Sequence, residues 1–305
     1  MNKLVLVTRK SALAKQQTAW VAQQLHKFFP SCAISTLEVS TEGDERLEVA
    51  LNKIGGKGLF VKRLEESLLH DEADCAVHSL KDVPQALPDG LTLAAVCKRE
   101  DPRDVFISRK HAHFRDLPKH ARVGTSSLRR ASQLLAHRPD LQIDFLRGNI
   151  FTRLRKLEEG LFDAIILAAA GLHRMQLQAH ITHYFTLREM IPAIGQGALG
   201  LEIRSDDVAC AQALQRLTDA HTWAATTAER ALGHALGASC QVPIGAHAEI
   251  IGKQLSLTAC VATPDGSTLL HAECAGSPKD AHNIGMQAAQ QLLAQGAKNI
   301  IEALQ

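Results

Sequence analysis

The feature that most constrains this chain is a repeated alternation between short apolar runs and longer amphipathic stretches. Leu4 to Val7 reads as a buried strand. Ser11 caps a helix on which Leu13, Gln17, Trp20, Val21, Gln24, Leu25 and Phe28 fall on adjacent rows, and Pro30 stops it. Ile34, Leu37 and Val39 suggest a second strand, Leu59 to Leu69 an amphipathic helix, and Cys75 to Val77 a third strand. A chain that alternates in this way folds as a βαβ sheet.

The pattern begins again near Asp104. Val105 to Ile107 reads as a strand, and Val123 to Ser127 as a strand running into a turn. A helix is expected over Leu128 to His137, ended by Pro139. Ile143 to Leu146 and Ala164 to Ala168 read as strands, with a helix over Ile150 to Leu157 between them. The last third differs. It reads as a helix over Trp223 to Leu236, then strands over Ala248 to Ile251, Leu255 to Val261 and Leu269 to Ala275. The turn Asp265-Gly266 joins the last two strands, and a helix over Asp280 to Leu293 follows. The expectation is therefore two tandem α/β units and a smaller α+β domain.

A length of 305 residues suits two or three domains. The formal net charge is only +2, so an anion site must come from local clustering of Arg and Lys. The seven cysteines are odd in number and none pair as C-x-x-C, which points to a reducing compartment and no zinc knuckle or other metal motif. The apolar run after Met1-Asn2-Lys3 is short for a signal peptide, and no run reaches membrane-spanning length, so a cytoplasmic chain is expected.

Several segments can carry chemistry. Arg9-Lys10-Ser11 lies where the first strand meets the first helix, and backbone N–H groups there attract anions. Read alone, Arg9 is more often a solvated side chain beside a capping Ser. Gly55-Gly56-Lys57-Gly58 lacks the Gly-Lys-Ser/Thr ending of a P-loop and reads as a mobile loop. His78 to Pro84 follows an apolar strand end, where open α/β sheets place ligand groups, although an adjacent Lys-Asp is as often a surface pair. In Gly124 to Arg130, three hydroxyl residues open a helix with two arginines in its first turn. Arginine there opposes the helix dipole, which points to an anionic ligand. Arg147, Arg153 and Arg174 also lie beyond expected strand ends. Cys240 sits in a small-residue loop; such a thiol can be a nucleophile near cationic groups or an exposed, unreactive side chain.

Taken together, these segments resemble the porphobilinogen deaminase family over nearly the whole chain. The specific matches are His78-Ser79-Leu80-Lys81-Asp82-Val83-Pro84, Gly124 to Arg130, and Cys240-Gln241-Val242-Pro243. Glu100 to Asp104 and Ile194 to Ala198 match as well. The resemblance implies two periplasmic-binding-protein-like α/β domains with a cleft between them, plus a smaller C-terminal α+β domain. Domain 1 would take residues 1–98 and 196–216, domain 2 residues 103–192, and domain 3 residues 220–305. It implies a dipyrromethane cofactor, one per chain, on a thioether at Cys240. Asp82 would be the catalytic carboxylate. Arg9, Ser11, Ser79, Lys81, Thr125, Ser127, Arg129, Arg130, Arg147, Arg153 and Arg174 would bind the acetate and propionate arms of cofactor and substrate. Lys53, Lys57 and Phe60 would belong to the mobile glycine loop. The implied activity is stepwise head-to-tail condensation of four porphobilinogen units, with release of ammonia and hydroxymethylbilane. The enzyme would be a monomer without nucleic-acid or membrane partners.

This chain departs from the family pattern in three places. Ala238-Ser239 precedes Cys240 where the family usually has Gly-Gly, Ala12 replaces a common Pro, and Glu42 stands where a basic residue is frequent. A binding protein for a small anion, or a phosphate- or nucleic-acid-binding regulator, could use the same arginines. The first needs neither Asp82 nor Cys240. The second fits poorly with near-neutral charge and with only one Tyr and two Trp as stacking platforms.

Overall fold

The computed structural model describes residues 2–40, 61–239 and 241–304. Lys53, Lys57, Phe60, the glycine loop, Glu42 and Cys240 therefore lie outside the described residues. The chain forms two compact units. Among the described residues, the first takes 2–40, 61–100 and 197–223, and the second takes 101–196, 224–239 and 241–304.

The first unit contains β1 (Lys3–Arg9), α1 (Ala12–Phe28), β2 (Ala33–Val39), α2 (Lys62–Leu69), β3 (Cys75–Ser79), β4 (Leu91–Val96), β10 (Leu199–Arg204) and α6 (Val208–Leu214). Its sheet order is β2-β1-β3-β10-β4. β1 runs parallel to β2 and β3, whereas β10 is antiparallel to both its neighbours. Side chains alternate across the strands, so the sheet has two apolar faces. Leu4, Leu6, Val77 and Leu201 meet Val21 and Leu25 of α1 on one face. Val7 and Ala76 meet Leu64 and Leu68 of α2 on the other. Each such fully buried side chain contributes about 1.5–3 kcal/mol. Ser11 caps α1 as the sequence reading expected, its Oγ accepting from the Ala14 N–H at 3.3 Å.

The second unit holds β5 (Asp104–Ser108), β6 (Arg122–Gly124), α3 (Leu128–His137), β7 (Gln142–Asp144), α4 (Ile150–Glu158), β8 (Ala164–Ala168), α5 (Ala169–Arg174) and β9 (His183–Tyr184). Their order, β7-β6-β8-β5-β9, repeats the first sheet strand for strand, with β5 as the antiparallel member. The strand expected over Ile143 to Leu146 is observed over Gln142–Asp144, and its last ladder hydrogen bond runs from the Thr125 N–H to the Asp144 carbonyl at 3.0 Å.

Beyond them, β11 (Ile244–Ile251), β12 (Gln254–Ala262) and β13 (Leu269–Gly276) form an antiparallel sheet. It packs on α8 (Ala281–Ala294), α9 (Ala297–Glu302) and the part of α7 (Ala220–Ala235) from Ala225 onward. The Asp265-Gly266 turn forms as expected, with Gly266 at φ +71. A Cβ there would lie 2.5 Å from the Ala136 nitrogen, so only glycine lets the hairpin tip rest on α3. The fold is thus the expected pair of α/β sheets with a smaller α+β part. No described helix is long and apolar enough to cross a membrane.

Candidate active site

In the first unit the candidate residues gather at the carboxyl ends of β1 and β3. Arg9 ends β1, and Ser79 ends β3 and leads into a short 3-10 turn, Leu80–Asp82. Cross-strand pairing fixes that turn: Ser79 lies opposite Leu199, and the Leu80 N–H donates to the Ala198 carbonyl at 3.0 Å. Asp82 is thereby held 3.8 Å from the Arg9 guanidinium, with a third of its side chain exposed. A carboxylate in that position is accessible. Lys81 lies exposed on the same turn. The sequence reading missed Gln17, a buried residue of α1 whose Nε2 donates to Ser79 Oγ at 2.9 Å. Its place on the helix row was visible, but its partner lies 62 residues away.

In the second unit, Gly124 ends β6 and the chain turns into α3. Ser127 caps that helix, its Oγ accepting from the Arg130 N–H at 3.4 Å, and Thr125 Oγ1 accepts from the Ser127 N–H at 3.2 Å. Arg129 and Arg130 both fold inward onto Asp104, which is fully buried. Arg129 Nη1 donates to Asp104 Oδ2 at 2.6 Å and to the Ile191 carbonyl at 2.8 Å. Arg130 donates Nε to Asp104 Oδ1 at 2.9 Å and Nη1 to the Ile166 carbonyl at 3.1 Å. Gln196 Nε2 adds a third donor to Asp104 at 3.0 Å. Burial alone would raise the Asp104 pKa, but the two guanidiniums outweigh it and hold the carboxyl far below its ordinary range.

The dipole conflict noticed in the sequence is thus partly answered from inside the protein, by Asp104. Two cations against one anion still leave a charge of +1. Arg130 has Nε, Nη1 and Nη2 all engaged. Arg129 has only Nη1 engaged among the described residues, so Nε and Nη2 remain for a ligand. Asp104 was read only as a motif residue, because its partners lie 25 and 26 positions along the chain.

Arg147 and Arg153 flank a third turn. Gly148 adopts φ +114, and a Cβ there would sit 2.7 Å from Thr152 Cγ2. Asn149 caps α4 by accepting from the Thr152 N–H at 2.9 Å, and Arg153 Nε closes the turn on the Gly148 carbonyl at 2.8 Å. The Arg147 guanidinium lies 5.7 Å from the centre of the Phe145 ring, and burial lowers its pKa. Arg174 ends α5.

His113, His183 and Glu189 bring potential metal-ligand atoms within 4.8 Å of one another. Their hydrogen bonds argue for a different use. His113 Nδ1 accepts from the Arg115 N–H at 3.1 Å, so Nε2 carries the ring proton and donates to Glu189 Oε1 at 3.2 Å. A metal-bound histidine needs the opposite arrangement, with a lone pair on the ligating nitrogen and a proton on the other. Arg115, 3.6 Å from Glu189, adds a competing cation.

Fold and candidate residues together define an α/β protein that presents arginines and hydroxyls beyond strand ends, with Asp82 on the turn that follows β3. Residues 4–212 match the family described as porphobilinogen deaminase, dipyrromethane cofactor binding domain, and residues 223–294 match its C-terminal domain. The chain belongs to the porphobilinogen deaminase family, transferases of tetrapyrrole synthesis that carry a dipyrromethane cofactor. It is 50% identical over 304 residues to the porphobilinogen deaminase of Laribacter hongkongensis, covering 100% of this chain and 99% of that one. The porphobilinogen deaminase of Thiobacillus denitrificans matches with the same identity and coverage. Among solved structures, a putative methionine-binding lipoprotein from Bacillus subtilis aligns with a TM-score of 0.45 at 12% identity, covering 71% of this chain and 90% of that one.

Proposed function

We propose that this chain condenses four porphobilinogen units head to tail on a dipyrromethane attached through Cys240, with Asp82 as the catalytic carboxylate. The observation that carries the reading is Asp82 itself: an accessible carboxylate held beside Arg9 on a turn fixed by β10. The donor set fits a group with acidic arms. Ser11, Thr125 and Ser127 can donate hydroxyl hydrogens, and Arg129 has two guanidinium nitrogens without a partner among the described residues. When bound, the dipyrromethane supplies the nucleophilic pyrrole carbon on which the product is built.

The protein's own residues position and stabilise. Asp82 accepts a pyrrole N–H and stabilises the cation that develops as ammonia leaves porphobilinogen, and it can carry the ring proton away. Arg9, 3.8 Å away, orients Asp82. Arg129, Arg147, Arg153 and Arg174, with Ser79 and Lys81, bind the substrate's acetate and propionate groups; Arg130 supports Arg129 through Asp104. Lys53 and Lys57 are assigned to the flanks of the glycine loop, with Phe60 near a pyrrole ring. We also assign the three-domain division at 1–98 with 196–216, 103–192 and 220–305, a monomeric state and a cytoplasmic location.

Incubation with porphobilinogen tests the activity, and a linear tetrapyrrole that closes to uroporphyrinogen is the expected product. Its absence from protein that carries the cofactor would refute the reading. Cys240→Ser is expected to abolish the covalent primer. Intact mass should lack the dipyrromethane increment, and acid aldehyde reagent should leave the protein colourless. An active wild-type preparation without that increment would contradict the attachment role. Arg129→Lys keeps the charge but loses the fork. One lost hydrogen bond to a charged group is worth about 1.5–3 kcal/mol, so turnover should fall about tenfold or more. Near-normal turnover of the folded variant would remove Arg129 from the substrate-binding set.

A further inference from the structure

Behind the Ser79–Asp82 turn lies a buried pair of acids and a histidine that the chemistry above leaves unused. His78 of β3, Glu202 of β10 and Glu65 of α2 are all buried, with Glu202 at 0% exposure. His78 Nε2 lies 2.8 Å from Glu202 Oε2, a side-chain link between the two strands whose pairing sets the catalytic turn. The β10–β4 register shifts between Leu201 and Glu202, and a bulge of this kind re-aims the side chain beside it. Strand alternation puts Ala76, His78 and Glu202 on the sheet face that α2 covers. Oε1 of Glu65 and Oε1 of Glu202 are both buried without a hydrogen-bond partner among the described residues.

The surroundings of Glu65 are narrowly defined. α2 packs on β1, β3, β4 and β10. From these, β10 contributes Glu202 and Arg204 and β3 contributes His78, while Lys62, Arg63 and Glu66 lie on Glu65's own helix; Arg204 pairs with Asp71, Asp74 and Asp207, and Arg63 with Glu66 and Glu72. β4 carries no charged residue. β1 carries Lys3 at its exposed start and Arg9, which pairs with Asp82. Two buried carboxylates beside one imidazole, with Arg204 and Arg63 paired to other acids, cannot both remain charged and unsatisfied. A resident proton resolves the conflict.

We infer that Glu65, Glu202 and His78 form a proton-sharing positioning network that locks the end of β3, and with it the Ser79–Asp82 turn, in the orientation the reaction needs. The inference rests on the assignment of catalysis to Asp82. Glu202 ties His78 to β10 on one side of Ser79, and the Leu80–Ala198 hydrogen bond ties the other side. Carried on Glu65, the shared proton supplies the donor that the two orphan oxygens lack. Burial first, and then the charge of Glu202, push the Glu65 pKa up to about 7, against the opposing pull of His78. The folded chain therefore holds a proton that the unfolded chain releases. This stabilisation is complete below the ordinary Glu range and is lost as pH rises through about 7.

The test uses holoenzyme labelled with isotopic nitrogen in its histidines. The His78 Nε2 resonance is expected to show a step with its midpoint near 7 that disappears in Glu65→Gln. Glu202→Gln and His78→Asn are expected to lower kcat on the order of 10²-fold, the cost of displacing a catalytic group by about 1 Å, with little change in the KM for porphobilinogen. Glu65→Gln, which keeps a donor, should recover most of the kcat that Glu65→Ala loses. A His78 step that persists in Glu65→Gln overturns the inference, as does full turnover by folded Glu202→Gln and His78→Asn. Failure of the Asp82 assignment looks different: Asp82→Asn would turn over normally while the His78 step remained.

Discussion

Asp104→Ala is expected to cost about 3–5 kcal/mol of folding stability, the range for removing one partner of a buried ion pair. The size follows from what stays behind. Arg129 and Arg130 are nearly fully buried, and their guanidiniums converge on this one carboxylate. Without it, two like charges face each other with carbonyl oxygens as their remaining partners. Asp104→Asn, which keeps the shape but not the charge, should lie between Ala and wild type. Thermal and urea unfolding measure the effect, and a loss below about 1 kcal/mol would place the pair among weakly coupled surface pairs. The pH dependence has a definite sign. A carboxyl whose folded pKa is depressed adds stability above its unfolded pKa and loses it as pH falls through the folded value. The difference between wild type and Asp104→Ala should therefore be full at neutral pH and shrink in strong acid.

Asp82→Asn should show the opposite profile, a stable protein with little activity. Its carboxylate is a third exposed, and its ion partner Arg9 stands 3.8 Å away, so the pair contributes about 1 kcal/mol or less to folding. Loss of a preorganised group that stabilises developing charge commonly costs 10²-fold or more, so a fall in kcat of about that size is expected. Single-turnover measurements on protein whose cofactor content has been verified separate this from failure to assemble the primer. A fall confined to KM would make Asp82 a binding residue. Asp82→Glu keeps the charge on a longer arm and should retain more activity than Asp82→Asn.

What could be read from the sequence was local. The helix over Leu128 to His137 was bounded correctly because its Ser127 cap and Pro139 stop are written in neighbouring residues. The strand Ala164 to Ala168 was equally legible as a short apolar run. Residues whose meaning depends on distant partners were opaque. β4 carries no alternating pattern, because both of its faces are partly covered, and it was not named. The insertion of β10 between β3 and β4 is a pairing across more than a hundred residues. For the same reason Glu202 carries no local signal, and Gln17 reads as one more polar residue on α1. Arg129 and Arg130 stood out only because they oppose a helix dipole. The sequence could signal that conflict but could not say that Asp104 answers part of it.

The strand order carries a consequence for how the chain matures. During synthesis, residues 104–184, which make the whole second five-stranded sheet, emerge before Leu199–Arg204 does. Until that segment leaves the ribosome, β3 has no neighbour on one side and β4 has no sheet to join. The half of the protein that begins the chain is thus the later of the two sheets to be completed. Nascent chains stopped before residue 199 should protect the later-encoded sheet from protease while leaving Ser79 to Asp82 open to cleavage.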